Sequence, residues 1–285
     1  MDLVNFNDYR QNQRMYGGTA GRKMGITYGG KEYLLKFPGN LKEKQMKNIN
    51  LSYSNSPVCE YIGSKIYELV GLPVHNTILG VRNEKIVVAC EDFLADGDRL
   101  YEFDKIKVTF EPHFLDSNGN ETNGVGVDLY EIHPFLQDVL GVAEHFWNMF
   151  VMDALIGNTD RNNSKWDDEK MQIVMNDAVK MEAEAYKARR CIYELQGKRI
   201  NPYYIMESME YQGCSDAIRK LVPKIGRCMG KLRIMIEEIP ILSEVQKRFF
   251  TSIIECRYEK VLLPVCRKIM EREFENLNQK RGRCR

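Results

Sequence analysis

The sequence predicts an α+β fold of two lobes, with a small α+β lobe over residues 1–95 and a larger, mainly helical lobe over residues 96–285. Two observations lead to this prediction. Short apolar runs alternate with glycine-rich turns in the first third of the chain, a pattern typical of strands. After Pro134, apolar residues recur at helical spacing almost to the end. With 285 residues, 44% of them hydrophobic, the chain can bury a core in each lobe.

Two strands and one helix are predicted in the first lobe. The runs YLLKF (33–37) and KIVVAC (85–90) are short, apolar and bounded by polar residues or proline, as strands are. Between them, Ser56 is a suitable N-cap and Pro57 a suitable first helical residue. Apolar residues then follow at helical spacing until Gly71, which predicts a helix between the two strands.

The second lobe begins with a long segment of low periodicity and continues with helices. Residues 96–130 contain the run SNGNETNG, and a stretch this long without periodicity predicts a functional or mobile loop. An apolar helix is expected from His145 to Ile156, where Gly157 ends it.

Composition and charge exclude several classes of function. Lys and Arg number 41 against 40 Asp and Glu, so the net charge of +1 gives no drive towards nucleic acid or anionic lipid. No apolar run approaches the roughly 20 residues of a membrane span, and the N-terminus lacks the order of a signal peptide. The eight cysteines contain no CxxC pair and the four histidines no metal-ligand spacing, so no zinc site is predicted. We expect a cytoplasmic protein without membrane or direct nucleic-acid partners, although secretion without a signal peptide stays open.

A glycine-rich segment near the N-terminus is the first feature that suggests a nucleotide. The run YGGTAGRKMG (16–25) would let backbone amides approach phosphate oxygens closely. It matches neither the Walker A pattern nor GxGxxG in register. Alone, it also fits an ordinary turn between strands.

Lys36 and Glu60 form the second feature. Lys36 lies inside an apolar strand, where a buried ammonium needs a counter-charge or a ligand. Glu60, in the first turns of the helix after Ser56, is the obvious counter-charge, and protein kinases pair a strand lysine with a helix glutamate in this order. The alternatives are a lysine that snorkels from an edge strand and a glutamate that is exposed near a helix N-terminus.

A carboxylate just past the apolar helix is the third feature. Asp160 follows Gly157, in the position from which the catalytic-loop aspartate of kinases accepts the proton of an attacking hydroxyl. The alternative is a surface ion pair between Asp160 and Arg161, with Asp153 as a buried cap.

Several segments together resemble one family. They are YLLKFP (33–38), SNSPVCEYIGSKIYELVGLPV (54–74), EDF (91–93), DALIGNTDRNN (153–163) and, further on, QGKRINPYYI (196–205) with RYEKVLLP (257–264). In this order they are similar to the HipA-like serine/threonine kinases, and above all to their compact CtkA-like branch. The resemblance implies a two-lobed protein-kinase-like (HipA-like) fold that binds ATP with Mg²⁺ and phosphorylates serine or threonine of a protein substrate.

The resemblance also implies roles for individual residues. Lys36 would contact the ATP phosphates, Glu60 would hold Lys36, and Asp160 would be the catalytic base. The remaining implied nucleotide-binding residues are Gly17, Gly18, Thr19 and Gly21 of the glycine loop and Glu91, Asp92 and Phe93 of the hinge against adenine. Thr19 is also an implied autophosphorylation site, and an antitoxin-type partner is implied by HipA-like relatives.

Two departures from the family pattern concern the metal. Lys165 stands where the family has its metal-binding asparagine, and an ammonium cannot ligate Mg²⁺, which takes oxygen ligands. Asn163, two residues away, could replace that asparagine. Relatives also carry a strand that ends in an aspartate-x-glycine motif after the tryptophan, and no such motif follows Trp166. We favour a deletion of that strand.

A rival alignment keeps a metal ligand in this region. In it MQIVMND (171–177) is a shortened strand and Asp177 ligates Mg²⁺. Asp167 and Asp168 are fallback ligands, or two exposed acids in a turn. Loss of the usual ligands would remove several kcal/mol of transition-state stabilisation. The sequence therefore predicts either an active kinase or a degenerate kinase that serves as a nucleotide-responsive protein-binding module, and a purely structural interaction protein is the third hypothesis.

Overall fold

The computed structural model describes residues 1–14, 22–39, 56–94, 98, 114–115, 121–122, 129–139, 141–157, 168–186, 194–195 and 198–283. The chain divides into two compact units. The first comprises Met1–Asp98, Arg161–Ala178 and Cys228–Ser252, and the second comprises Arg99–Asp160, Val179–Arg227 and Ile253–Arg285. Each unit thus contains three separate stretches of the chain. The predicted lobe boundary between residues 95 and 96 stays a prediction. Among the described residues, no helix combines the length and apolar character needed to cross a bilayer.

A five-stranded mixed sheet forms the centre of the first unit. Its strands are β1 (Val4–Asn5), β2 (Lys23–Tyr28), β3 (Lys31–Lys36), β4 (Thr77–Arg82) and β5 (Lys85–Glu91), in the spatial order β1-β4-β5-β3-β2. β1 runs parallel to β4, and the other neighbours are antiparallel. The hairpin turns are Gly29–Gly30 and Asn83–Glu84, all four residues with positive φ, as two-residue turns that match the strand twist require.

The N-terminal segment touches both edges of this sheet. Val4 lies opposite Gly80 on β4, and Gln11 forms an isolated bridge to Ile26 on β2. Between these points the buried Phe6 fills the curved face of the sheet, and a Cβ at Gly80 would overlap the Phe6 ring. The sheet therefore curls into a half-barrel around an apolar core, which consists of Phe6, Met24, Ile26, Tyr33, Leu35, Phe37, Val87 and Ala89.

The opposite face of the sheet carries a helix and the polar residues of interest. α1 (Ser56–Val70) packs on β4 and β5 and buries Val58 and Ile62 among others. Because paired residues of antiparallel strands share a face, Lys36 on β3 and Cys90 on β5 both lie on the side away from the core. The predicted strands 33–37 and 85–90 and the predicted helix that ends at Gly71 are confirmed.

The remaining described elements are mainly helical. They are β6 (Phe114–Leu115), β7 (Glu121–Thr122), α2 (Leu129–Pro134) with a π-helical turn (Phe135–Val139), α3 (Ala143–Ile156), α4 (Asp168–Met175), α5 (Ala178–Tyr186), β8 (Glu194–Leu195), β9 (Lys198–Arg199), α6 (Pro202–Ser208), α7 (Gln212–Glu237), α8 (Glu244–Arg257), a second π-helical turn (Tyr258–Leu262) and α9 (Leu263–Arg283). β6 pairs with β7 and β8 with β9. The predicted apolar helix 145–156 is confirmed as α3, whose Trp147 and Phe150 lie in the core of the second unit.

The rival strand over residues 171–177 is wrong. Residues 168–175 form α4, which begins with Asp168 and Glu169 and buries Met171 and Val174 at a spacing of three. Acidic residues in the first turn stabilise a helix through its dipole, and a short apolar run does not by itself distinguish a helix from a strand. Asp177 therefore follows a helix rather than a strand, and its role as a metal ligand stays a prediction.

Candidate nucleotide-binding site

Lys36 and Glu60 form an ion pair in the first unit. Lys36 ends β3 and Glu60 lies in the first turns of α1, and the distance from Lys36 Nζ to Glu60 Oε1 is 2.9 Å. The side chain of Lys36 is 27% exposed and that of Glu60 only 11%. The predicted counter-charge is confirmed, and the alternative of an exposed Glu60 carboxylate is wrong. The pair holds a half-exposed ammonium at the end of a strand, where it can attract an anion.

The positive charge of Lys36 affects the groups around it. Burial lowers the pKa of His75, and the Lys36 ammonium lowers it further. Burial raises the pKa of the Cys90 thiol, an effect that Lys36 partly opposes. Both neighbours are therefore uncharged near neutral pH. Of the side chains in this group, Glu60 is the one that carries the negative charge opposite Lys36.

The predicted hinge residues Glu91, Asp92 and Phe93 differ in what their side chains do. The Glu91 carboxylate accepts a hydrogen bond from Lys31 Nζ at 2.6 Å, which is the main reason that the pKa of Glu91 lies below its usual value. The Asp92 carboxylate accepts from Arg14 Nη1 at 2.8 Å and from the Leu94 amide at 3.0 Å. The Phe93 side chain is 67% exposed. Both carboxylates of the predicted hinge are therefore engaged by basic side chains, and an exposed aromatic ring follows them.

Arg14, which the sequence analysis did not single out, contacts the predicted hinge. Its ion pair with Asp92, whose side chain is 6% exposed, joins the N-terminal segment to a residue 78 positions later. The Asn12 amide donates to the Gly25 carbonyl at 3.0 Å, and a Cβ at Gly25 would overlap the Asn12 side chain. Gly25 therefore lies in β2 and admits Asn12. The predicted loop residues Gly17, Gly18, Thr19 and Gly21 lie outside the described residues.

A buried arginine in the second unit holds the end of α3. Gly157 has φ +65° and ends the helix, and its amide bonds to the Asp153 carbonyl. Arg257 is 5% exposed and donates from Nη1 to the Leu155 carbonyl at 3.3 Å. Burial lowers its pKa, and the negative end of the helix dipole favours a cation at this place. No local pattern in the sequence indicates this contact, because 102 residues separate its partners.

Tyr203 holds the same helix end from another side. Its buried hydroxyl lies 3.2 Å from the Ala154 carbonyl and 2.8 Å from the Ala185 carbonyl, on α3 and α5. Arg257 and Tyr203 together fix the last turn of α3, which precedes Asp160 in the chain. Asp160 itself and Asn163 lie outside the described residues.

Three side chains that can ligate a metal come together in the first unit. Among the described residues, this group is Glu60, His75 and Cys90. Mg²⁺ takes oxygen ligands in an octahedral arrangement, whereas this group supplies one oxygen, one nitrogen and one sulfur donor. It does not fit Mg²⁺.

Comparisons with known proteins found one similar sequence and similar solved structures. No protein-family model matches the chain. Over 277 residues the chain is 30% identical to the serine/threonine-protein kinase CtkA of Helicobacter pylori, covering 87% of this chain and 82% of that protein. The crystal structure of a Helicobacter pylori proinflammatory kinase CtkA matches 95% of this chain and 99% of its own with a TM-score of 0.81 and 25% identity. HipA of Shewanella oneidensis, from a complex with HipB and operator DNA, matches 93% of this chain and 70% of its own at a TM-score of 0.47 and 13% identity.

Proposed function

Because this chain belongs to the HipA-like serine/threonine kinases, in their CtkA-like branch, we propose that it binds ATP and transfers the γ-phosphoryl group to serine or threonine of a protein. The ion pair between Lys36 and Glu60 is the observation that supports this proposal most strongly. It supplies a positioned cation in the family's strand and helix arrangement. The described residues do not indicate which protein is the substrate.

Lys36 would bind the phosphates of ATP in this proposal. Glu60 restricts the lysine stem, so less rotational freedom is lost when phosphate oxygens bind. The charge-assisted contact would stabilise bound nucleotide by about 1.5–3 kcal/mol, or roughly 10- to 100-fold in affinity. At the hinge, the exposed Phe93 ring offers an apolar surface to the purine.

Asp160 would act as the base in the transfer step. The substrate hydroxyl oxygen forms a bond to the γ-phosphorus, the bond from that phosphorus to the bridging oxygen breaks, and ADP leaves. The hydroxyl proton passes to the Asp160 carboxylate. Arg257 and Tyr203 would act indirectly, since they fix the helix end that precedes Asp160.

A degenerate kinase is the second candidate function. When bound, Mg²⁺ neutralises phosphate charge in this chemistry, but the described residues contain no set of oxygen ligands that fits it. Lys165 stands at the family's asparagine position, and residues 168–175 form a helix instead of the rival metal-bearing strand. As a degenerate kinase, the protein would bind ATP and thereby change a protein-binding surface, while phosphoryl transfer would be slow or absent.

Radiolabelled ATP distinguishes the two candidates. The purified protein is incubated with γ-labelled ATP and Mg²⁺, with and without a general protein substrate, and compared with Asp160→Asn, Lys36→Met and Lys65→Met. Lys65 is the matched control, because it also pairs with a glutamate of α1, Glu68, and neither residue is an implied site residue. An active kinase labels protein in wild type and Lys65→Met only, and Thr19→Val removes any self-label on the glycine loop.

If no protein is labelled, a measurement of nucleotide binding separates the remaining hypotheses. Isothermal titration with a non-hydrolysable ATP analogue then gives a signal for a degenerate kinase and none for a purely structural protein. A cytoplasmic location stays a prediction from the sequence, and an antitoxin-type partner stays a prediction from the family resemblance. Co-purification of the tagged protein from its own host tests the second of these.

A further inference from the structure

Three potential metal ligands lie together on the helix-facing side of the sheet. One ligand atom each from Glu60, His75 and Cys90 lies within 4.8 Å of the other two. Tetrahedral zinc holds such atoms roughly 3.3–3.7 Å apart, so the widest pair needs to close by at most about 1.5 Å. Rotation about the flexible bonds of Glu60 can provide that movement. The donor set of carboxylate, imidazole and thiol suits a thiophilic divalent cation such as Zn²⁺.

A helix, a strand and the connection between α1 and β4 supply the three residues. Glu60 lies on α1, Cys90 on β5, and His75 in the connection, two residues before β4. Ser64, four residues after Glu60 on α1, donates its hydroxyl to the His75 carbonyl at 3.0 Å and so fixes the backbone of His75. Thr77, the first residue of β4, lies directly opposite Cys90 in the strand register. The cluster is therefore held by α1, by β5 and by a connection whose backbone is bonded to α1.

Two buried polar atoms beside the cluster point independently to a ligand. His75 Nε2 and Thr77 Oγ1 are buried, and neither has a hydrogen-bond partner in the part of the chain that the structure describes. Buried polar atoms in native proteins are nearly always satisfied by protein, water or an ion. A cation on His75 would satisfy Nε2, and a water on that cation would reach a polar neighbour such as Thr77.

The charges of the site also balance. Zn²⁺ with an ionised Glu60, a Cys90 thiolate and a neutral His75 sums to zero, which offsets the cost of placing charge beside the buried Cys90. The Cys90 thiol proton leaves to solvent when the sulfur binds the metal. Burial keeps His75 neutral, since it lowers the pKa of the imidazole, and a neutral imidazole is the form that ligates.

We propose that Glu60, His75 and Cys90 form a binding site for a thiophilic divalent cation of the Zn²⁺ class, with an exchangeable fourth position. The cation would compete with Lys36 for Glu60. Lys36 Nζ is 2.9 Å from Glu60 Oε1, so an ion on the same carboxylate repels the ammonium and loosens the pair. Cation binding and the lysine that the kinase proposal assigns to phosphate are thereby coupled through one glutamate.

Cobalt substitution tests the site without any nucleotide, so its outcome is independent of the proposed kinase activity. The reduced, metal-free, folded protein is titrated with Co²⁺, and the thiolate-to-cobalt absorption in the near ultraviolet is recorded. We expect one Co²⁺ per chain, displaced by Zn²⁺. Cys90→Ser should abolish the band, and His75→Gln or Glu60→Gln should weaken binding by more than the roughly 10- to 100-fold typical of outer-shell changes.

Cys59→Ser is the matched control, because Cys59 neighbours Glu60 on α1 but is no part of the cluster. It should keep the band. Lys36→Met should tighten Co²⁺ binding, since the competing cation is gone. Circular dichroism of each variant verifies folding, and protection of Cys90 from alkylation by Zn²⁺, mapped by mass spectrometry on the unmodified chain, needs no variant.

Three outcomes would overturn the proposal. These are no thiolate band in the wild-type protein with Co²⁺ in excess, an unchanged band in Cys90→Ser, and alkylation of Cys90 that Zn²⁺ does not slow. An unchanged affinity in Lys36→Met would refute the competition for Glu60 and leave a site that is independent of the ion pair.

Discussion

Replacement of Gly157 by alanine tests how the end of α3 is held. Gly157 has φ +65°, and a Cβ there would lie 2.5 Å from Arg257 Cζ and 2.6 Å from Nη1. Left-handed backbone costs alanine about 1–2 kcal/mol. Displacement of the guanidinium from the Leu155 carbonyl adds about 1.5–3 kcal/mol, the usual contribution of a hydrogen bond to a charged group. We therefore expect Gly157→Ala to lower the free energy of unfolding by about 2.5–5 kcal/mol.

Gly141 provides a matched control for the backbone contribution. Its φ is +64°, and a Cβ there would meet nothing within 4 Å. Gly141→Ala should therefore cost only the backbone strain of about 1–2 kcal/mol. Urea unfolding followed by circular dichroism measures both variants. If the two substitutions cost the same, Arg257 does not hold the helix end as described.

A double-mutant cycle isolates the contact itself. In an Arg257→Ala background no guanidinium is present to be displaced, so the cost of Gly157→Ala should fall to that of Gly141→Ala. An additive cycle would contradict the contact. Because Asp160 follows this helix end, Gly157→Ala should also reduce phosphoryl transfer more strongly than Gly141→Ala does.

Two further predictions concern buried groups of the second unit. Tyr203→Phe removes the hydroxyl between the Ala154 and Ala185 carbonyls and should destabilise the protein by about 1–3 kcal/mol in urea unfolding, whereas no change would mean that water satisfies both carbonyls. Burial lowers the pKa of His133, an effect that Asp138 partly opposes. Between that lowered pKa and about 6.5 the unfolded chain binds more protons, so stability falls as the pH falls through this window. His133→Gln should flatten that slope, and an unchanged slope in thermal unfolding between pH 7 and pH 5 would refute the assignment.

Much of the secondary structure of the first unit could be predicted from local sequence patterns. The apolar run 33–37 and the capped helix after Ser56 depend on residues close in sequence, and both are as predicted. The pairing of Lys36 with Glu60 could be inferred because a lysine inside an apolar strand needs a partner, and the next helix offers a carboxylate in its first turns.

Contacts between distant residues were not predictable in this way. Arg14 and Asp92 are 78 residues apart, and Leu155 and Arg257 are 102 apart. The cluster of Glu60, His75 and Cys90 spans a helix, a connection and a strand, so its members show no metal-ligand spacing. Only the register of the strands and the packing of α1 bring them together.

The most direct test of the central claim is nucleotide affinity in two lysine variants. Lys36 and Lys65 each form an ion pair with a glutamate of α1, at 2.9 and 2.7 Å respectively. Isothermal titration with a non-hydrolysable ATP analogue should show that Lys36→Met weakens binding by roughly 10- to 100-fold, the effect of one charge-assisted contact. Lys65→Met should bind as the wild-type protein does, since neither Lys65 nor Glu68 is an implied nucleotide-binding residue. Equal affinities of the two variants would contradict a nucleotide site built around Lys36 and Glu60.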